Sequence, residues 1–239
     1  MKPITSVLIP SRGKPEQLRK TIDTVARLHS PSATLEIILR LDTDDPKLCD
    51  YIADFQNSRN KPDYVLIGHS KGYAGIQGCW RECAHNATGD ILLLLNDDVT
   101  IQTQCWDEAY RDALRGFPYG IASAYIRTKT DGPADHYEWA MPCVRREFVT
   151  AMGYFPGAET IDRVAEAYIR MTGLGVRANV WMVHDYQPAI PGTSRAEVYA
   201  DHAKNWNEYA KAWNDTALSM KASLIQYLHR TGQPPLWVG

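Results

Sequence analysis

Four short apolar runs, Ile4 to Ile9, Leu35 to Leu41, Tyr64 to Ile67 and Ile91 to Leu95, alternate with amphipathic stretches in the first part of the chain. Their alternation with helical spacing predicts βαβ units, and hence an α/β fold with a mostly parallel sheet flanked by helices. Between the first two runs, Pro15 suits a first helical turn, and Leu18, Ile22, Val25 and Leu28 recur on one helical face. A second crossover helix is expected from about Ala74 to His85, ahead of Ala87-Thr88-Gly89.

After Asp98 the pattern becomes less regular. It predicts a helix near Trp106 to Leu114, a strand at Ile121 to Ile126 and a turn at Asp131-Gly132-Pro133. Helices follow at Arg145 to Met152 and Ile161 to Met171, and a strand from Val176 to Val183 ends at His184. From Ser194 to about His229 the chain reads as helical, with Tyr199, His202, Trp206, Tyr209 and Trp213 spaced by threes and fours. Such a stripe packs a helix on the body of the protein or joins a homo-oligomer. At 239 residues, one large domain over 1–193 with a helical C-terminal extension over 194–239 is expected.

Composition excludes several classes. The net charge is −2, which gives no general attraction for nucleic acid or an anionic membrane. No run approaches the roughly 18 apolar residues of a membrane span, and no signal peptide is evident, so a cytoplasmic protein is expected. Cys49, Cys79, Cys83, Cys105 and Cys143 lack zinc-site spacing and read as buried free thiols in a reducing compartment.

Leu92 to Leu95 end abruptly in Asn96-Asp97-Asp98. Ligands of parallel sheets lie beyond the carboxyl ends of the strands, so these acids face a site unless they only cap a solvated turn. Adjacent carboxylates repel, and a divalent ion bridging to phosphate oxygens relieves that repulsion. The second strand ends similarly in Asp42-Thr43-Asp44-Asp45, and the first in Pro10-Ser11-Arg12-Gly13, whose small residues and guanidinium suit a nucleotide or its phosphates. Three strand ends thus converge on one crevice.

These blocks, together with Lys71-Gly72-Tyr73-Ala74 and Ala87-Thr88-Gly89-Asp90, resemble in order and spacing those of a family 2 type glycosyltransferase with the GT-A fold. The resemblance implies a nucleotide-sugar-binding half at 1–99 and an acceptor-side half at 100–193. It implies Pro10, Ser11 and Arg12 along the nucleotide of a nucleotide diphosphate sugar, Asp42 at the base, Lys71 near base or ribose, and Asn96 and Asp97 in a D-x-D-like motif. Asp98 is then the metal ligand. Asn96 departs from the motif: an amide can hold a ribose hydroxyl but brings no charge to the metal. His184 matches a histidine that often completes the metal site of related enzymes, and imidazole beside carboxylate suits Mn²⁺ somewhat better than Mg²⁺.

A fainter match covers Pro142 to Phe148, Met152 to Pro156 and Thr160 to Val164, the acceptor-side segment, where a carboxylate opening a helix is the general base. An acceptor hydroxyl must lose its proton as the new bond forms, and a single displacement inverts the anomeric centre. Asp162 is the expected base and Glu159 its alternative; an ordinary first-turn acid is the plain reading of either. His136, Glu138 and Trp139 suit a sugar grip, and Trp139 equally suits a core. Arg111, Arg115, Arg127, Lys129, Arg145 and Arg146 lean basic and would suit a DNA acceptor, or are a solvated surface.

The reading that follows is a metal-dependent, Mn²⁺- or Mg²⁺-using, inverting transfer from a nucleotide diphosphate sugar, UDP-linked in the leading case, to a hydroxyl acceptor such as a glycan or a hydroxylated DNA base. A sugar-phosphate nucleotidyltransferase shares the architecture, but the stretch after the first strand lacks the glycine-rich loop with a basic residue that holds a triphosphate. A catalytically silent nucleotide- or carbohydrate-binding module is the remaining alternative, kept by Asn96.

Overall fold

A computed structural model describes residues 2–72, 75–128, 139–152, 161–185, 197, 200–201 and 203–233. Strands β1 (Ile4–Ser11), β2 (Thr34–Asp42), β3 (Tyr64–Gly68) and β4 (Ile91–Leu94) are parallel, joined by helices α1 (Pro15–Leu28), α2 (Leu48–Asn57) and α3 (Ile76–Asn86). Then come β5 (Val99–Ile101), α4 (Trp106–Leu114), β6 (Ile121–Thr128), β7 (Cys143–Arg145), α5 (Arg146–Met152), α6 (Ile161–Thr172), β8 (Gly175–His184) and α7 (Trp206–Thr231). The sheet order is β3-β2-β1-β4-β7-β6-β8-β5. β7 is antiparallel to β4 and β6, β5 is antiparallel to β8, and β6 and β8 are parallel. So β1, β2, β3, β4, β6 and β8 all point the same way and deliver their carboxyl ends to one rim, as the apolar runs predict.

Each inner strand feeds two cores. Val7, Ile9, Ile37, Leu39, Ile91 and Leu93 meet α1 and α4, whereas Leu8, Ile38, Leu92 and Leu94 meet the layer of α3, α5, α6 and α7. This double burial is why the runs are continuously apolar rather than alternating. β3 is the exception: it is an edge strand, with Tyr64 and Ile67 each 50% exposed.

Of the described members of the aromatic stripe, Trp213 packs inward, Tyr209 is half-buried and Trp206 is 50% exposed. Trp213, Ala217, Met220, Leu224 and Leu228 of α7 are buried in the second core against α5 and α6, and Trp206 and Tyr209 flank Trp213. The helix is thus integral to the core; Tyr199 and His202 lie outside the described residues. All five cysteines are free thiols, but only Cys79, Cys83 and Cys143 are buried, and Cys49 is exposed. The described residues hold no helix long and apolar enough to cross a membrane.

Three elements escape the sequence pattern. β5 and β7 have three residues each, too short for any periodicity. α2 buries little besides Tyr51, so its apolar face is faint.

Candidate active site

The rim of strand ends is densely charged. Ser11, closing β1, donates from Oγ to Asp97 Oδ2 at 2.7 Å and lies 2.9 Å from the Tyr51 hydroxyl. That hydroxyl also accepts the backbone N–H of Lys14 at 2.7 Å, so α2 fixes the turn between β1 and α1. Lys14 then reaches across: its Nζ is 2.8 Å from Asp98 Oδ2 and 3.6 Å from Asp97 Oδ1. The pairing of β5 with β8 sets Val99 opposite His184, and His184 Nε2 stands 3.0 Å from Asp98 Oδ1. Asp97, Asp98 and His184 are therefore one cluster, with Lys14 as its cation.

The two carboxyls differ in character. Burial pushes Asp97 up to about 6, against the pull of Lys14 and with the Asp98 charge adding to the rise. Burial also works against the Asp98 charge, but the His184 hydrogen bond and Lys14 outweigh it and hold that carboxyl at about 2. A raised carboxyl stabilises the fold at low pH and loses that contribution as pH climbs through its folded value. Asp97→Asn keeps a neutral group in place. Its unfolding midpoint in urea should gain on that of the parent protein between about pH 4 and pH 6.

Beside this cluster runs a chain of alternating charges. Lys71 Nζ meets Glu82 at 2.7 Å, Glu82 meets Arg40 Nε at 2.6 Å, and Arg40 Nη1 meets Asp42 Oδ1 at 2.8 Å. Asp42 Oδ2 in turn meets Arg12 Nη1 at 2.9 Å, and Arg12 meets Asp44 at 2.7 Å. Arg40 is only 2% exposed and also donates to the carbonyls of Leu41 and His69. Without Arg40, Glu82 keeps Lys71 and Asp42 keeps Arg12, but buried acceptors lose their donor, at a cost of about 1–3 kcal/mol. Arg40→Met should lower stability by about that amount, measured by urea unfolding, and loosen Asp42 with it.

Residues 6–165 match the model of glycosyl transferase family 2. The chain belongs to that family. Solved structures with similar folds include S. aureus TarS 1-349 in complex with UDP, at 11% identity and TM-score 0.57, covering 98% of this chain and 92% of that one. A second is the same protein in complex with UDP-GlcNAc, at 10% identity and TM-score 0.57, covering 77% and 59%. A third is S. aureus TarS, at 10% identity and TM-score 0.59, covering 96% and 44%. This chain thus spans less than two thirds of two of these neighbours, and at such identity the likeness is one of fold, GT-A in both. No curated protein sequence matches it.

In this family 2 glycosyltransferase, then, Ser11, Arg12, Asp42, Asp97, Asp98 and His184 share one rim, and Lys71 joins it through Glu82 and Arg40. Pro10 lies in β1 opposite Arg40. Asn96 is half-buried between β4 and Asp97 and makes no side-chain hydrogen bond among the described residues. Asp162 sits in the first turn of α6, where burial raises its carboxyl against the opposing backbone N–H of Arg163. It shares no hydrogen bond or ion pair with the rim residues. Glu159, His136, Glu138 and Lys129 lie outside the described residues. Trp139 packs partly into the second core.

Four residues of the basic-leaning stretch are engaged within the protein. Arg111 bonds the Thr5 hydroxyl, Arg115 pairs with Asp112, Arg145 pairs with Glu147, and Arg146 donates to the carbonyls of Ala87 and Gly89.

Sequence reasoning missed Lys14, Arg40, Tyr51 and Glu82. Lys14 carried a usable signal: it extends the same strand end as Pro10 to Arg12. The other three depend on contacts remote in sequence.

No group of three or more His, Cys, Asp or Glu among the described residues is placed to hold a metal ion. Asp98 and His184 nevertheless form a two-donor set of one ionised carboxylate and one imidazole. That set fits an ion held jointly with substrate phosphates better than one caged by protein alone, and Lys14 already shows that the spot favours positive charge.

Proposed function

We propose that this family 2 glycosyltransferase moves a sugar from a UDP-linked donor to a hydroxyl acceptor, with inversion and with metal assistance. The observation that carries the reading is the single cluster of Asp97, Asp98, Lys14 and His184 at the rim where the strands end. Positive charge held there is aimed at the diphosphate that departs, and leaving-group charge is what such a site must stabilise. Asp98 and His184 would hold the ion; a divalent cation there supplies Lewis-acid neutralisation of the departing diphosphate. Arg12, Asp42 and Lys71 flank the base and ribose, and the unbonded Asn96 amide is available to a ribose hydroxyl. The UDP and UDP-GlcNAc complexes of TarS support uridine as the base. Asp162 is the general base, since a carboxyl raised by burial holds a proton more readily than an exposed one. On this reading residues 1–99 bind the donor, 100–193 face the acceptor and 194–239 complete the fold.

The test is turnover. The purified protein is incubated with Mn²⁺ and UDP-, GDP- and dTDP-sugars, and released nucleoside diphosphate is measured with and without Mn²⁺. Mn²⁺-stimulated release of UDP from one UDP-sugar is expected. Binding of UDP without any release would identify a silent module, and release without Mn²⁺ would remove the metal from the scheme.

A further inference from the structure

Away from the charged rim, Tyr125 of β6 and Trp181 of β8 are register partners, and their rings stack with centroids 4.8 Å apart and planes at 20°. Arg127 lies 4.4 Å from the Trp181 ring centroid, and Arg177 lies 5.4 Å from that of Tyr125 and 5.3 Å from that of Trp139. Both stacked rings stay exposed, Tyr125 by 40% and Trp181 by 38%. Arg177 is engaged, giving Nη1 to the Ala124 carbonyl at 2.7 Å. Arg127 makes no hydrogen bond or ion pair with any described residue: the indole orients its charge without neutralising it.

Arg127 and Trp181 line a cavity of about 460 Å³ with Gln102, Thr103, Met182 and Val183, a volume in the range of small-molecule sites. Its polar wall is held to β8: Thr103 Oγ1 accepts the Trp181 N–H at 2.8 Å, and the Gln102 N–H donates to the Trp181 carbonyl at 2.9 Å. Val183, the register partner of Arg127, precedes His184, and Trp181 is about 10 Å from His184 along the strand.

We propose that this cavity is an acceptor subsite for a carboxylate-bearing saccharide of the uronic acid type. It rests on the transferase reading above, which puts a hydroxylated acceptor beside this rim. The indole wall suits the C–H face of a sugar ring, Gln102 and Thr103 suit its hydroxyls, and the planar guanidinium matches a planar carboxylate through two parallel hydrogen bonds. One unneutralised guanidinium balances one carboxylate; a phosphomonoester would leave charge over.

The full chain is titrated by calorimetry with trigalacturonate, its methyl ester, glucose 6-phosphate and a single-stranded oligonucleotide, and in parallel with UDP. The acid should bind, its methyl ester about tenfold or more weaker, with Arg127→Ala and Trp181→Ala each weakening the acid about tenfold while UDP binding holds. Arg127→Lys should recover part of the affinity. Equal binding of acid and ester, an unchanged Arg127→Ala, or Arg127-dependent binding of the oligonucleotide or glucose 6-phosphate in place of the acid would overturn the proposal. If UDP fails to bind while the acid binds through Arg127, the subsite stands and the donor reading falls.

Discussion

Asp162→Asn is expected to lower the transfer rate about 10³-fold, within the 10²–10⁴ range by which a positioned base accelerates a reaction. The argument is chemical before it is positional. An attacking hydroxyl carries a proton that must leave as the glycosidic bond forms, and an amide cannot take it. Asp162 stands in the first turn of α6, half-buried, with its carboxyl raised by that burial, so its basicity exceeds that of an exposed acid. Because Asn is nearly isosteric and Asp162 has no ion-pair partner on the rim, UDP affinity should stay at the parent value and the urea midpoint should not fall; a carboxyl raised by burial costs stability once ionised. A loss confined to kcat would support the assignment. Full activity in Asp162→Asn, with the loss appearing in Glu159→Gln, would move the base upstream.

Asp98→Ala should have the second large effect: loss of Mn²⁺ stimulation and about 10²–10³-fold less turnover, the usual cost of deleting one electrostatic stabiliser of a developing charge. Asp98 is the shared partner of Lys14 and His184, at 2.8 and 3.0 Å. Its deletion removes an anion from between two nitrogen groups, so Asp98→Asn is the informative companion: it preserves volume and one acceptor oxygen but not the charge. If Asp98→Asn keeps both the activity and its Mn²⁺ dependence, the ion is held elsewhere. His184→Ala should raise the Mn²⁺ concentration needed for half-maximal rate while affecting UDP affinity less.

The first half of the fold was legible because its information is local. Val7 to Ile9, Ile37 to Leu39 and Ile91 to Leu94 announce strands by composition alone, and parallel order then puts their ends, with Ser11, Asp42 and Asp97, on one rim. His184 was legible for the same reason, as the terminus of an apolar strand. What sequence could not show was pairing across distance. That Lys14 meets Asp98, 84 positions away, follows from α2 pinning the turn through Tyr51, and no local pattern encodes it. Cys49 was misjudged because residue type alone says little about exposure on a helix that buries mainly Tyr51. The second half was harder because its organisation rests on β5 and β7, each held in the sheet by neighbours rather than by its own pattern.

The inward packing of α7 bears on the order of folding during synthesis. Strands β1 to β4 and their crossover helices all lie within the first 94 residues, so they emerge together and early. Phe148, Val164 and Tyr168, in contrast, share their core with Met220, Leu224 and Leu228 of a helix that follows them by dozens of residues. While α7 is still to emerge from the ribosome, that apolar layer has no lid, and the nascent chain carries a sticky face beside an already structured sheet. Chaperone engagement should therefore concentrate on this interval of translation, and ribosome-bound chains halted before Trp206 should be more protease-sensitive in α5 and α6 than in β1 to β4.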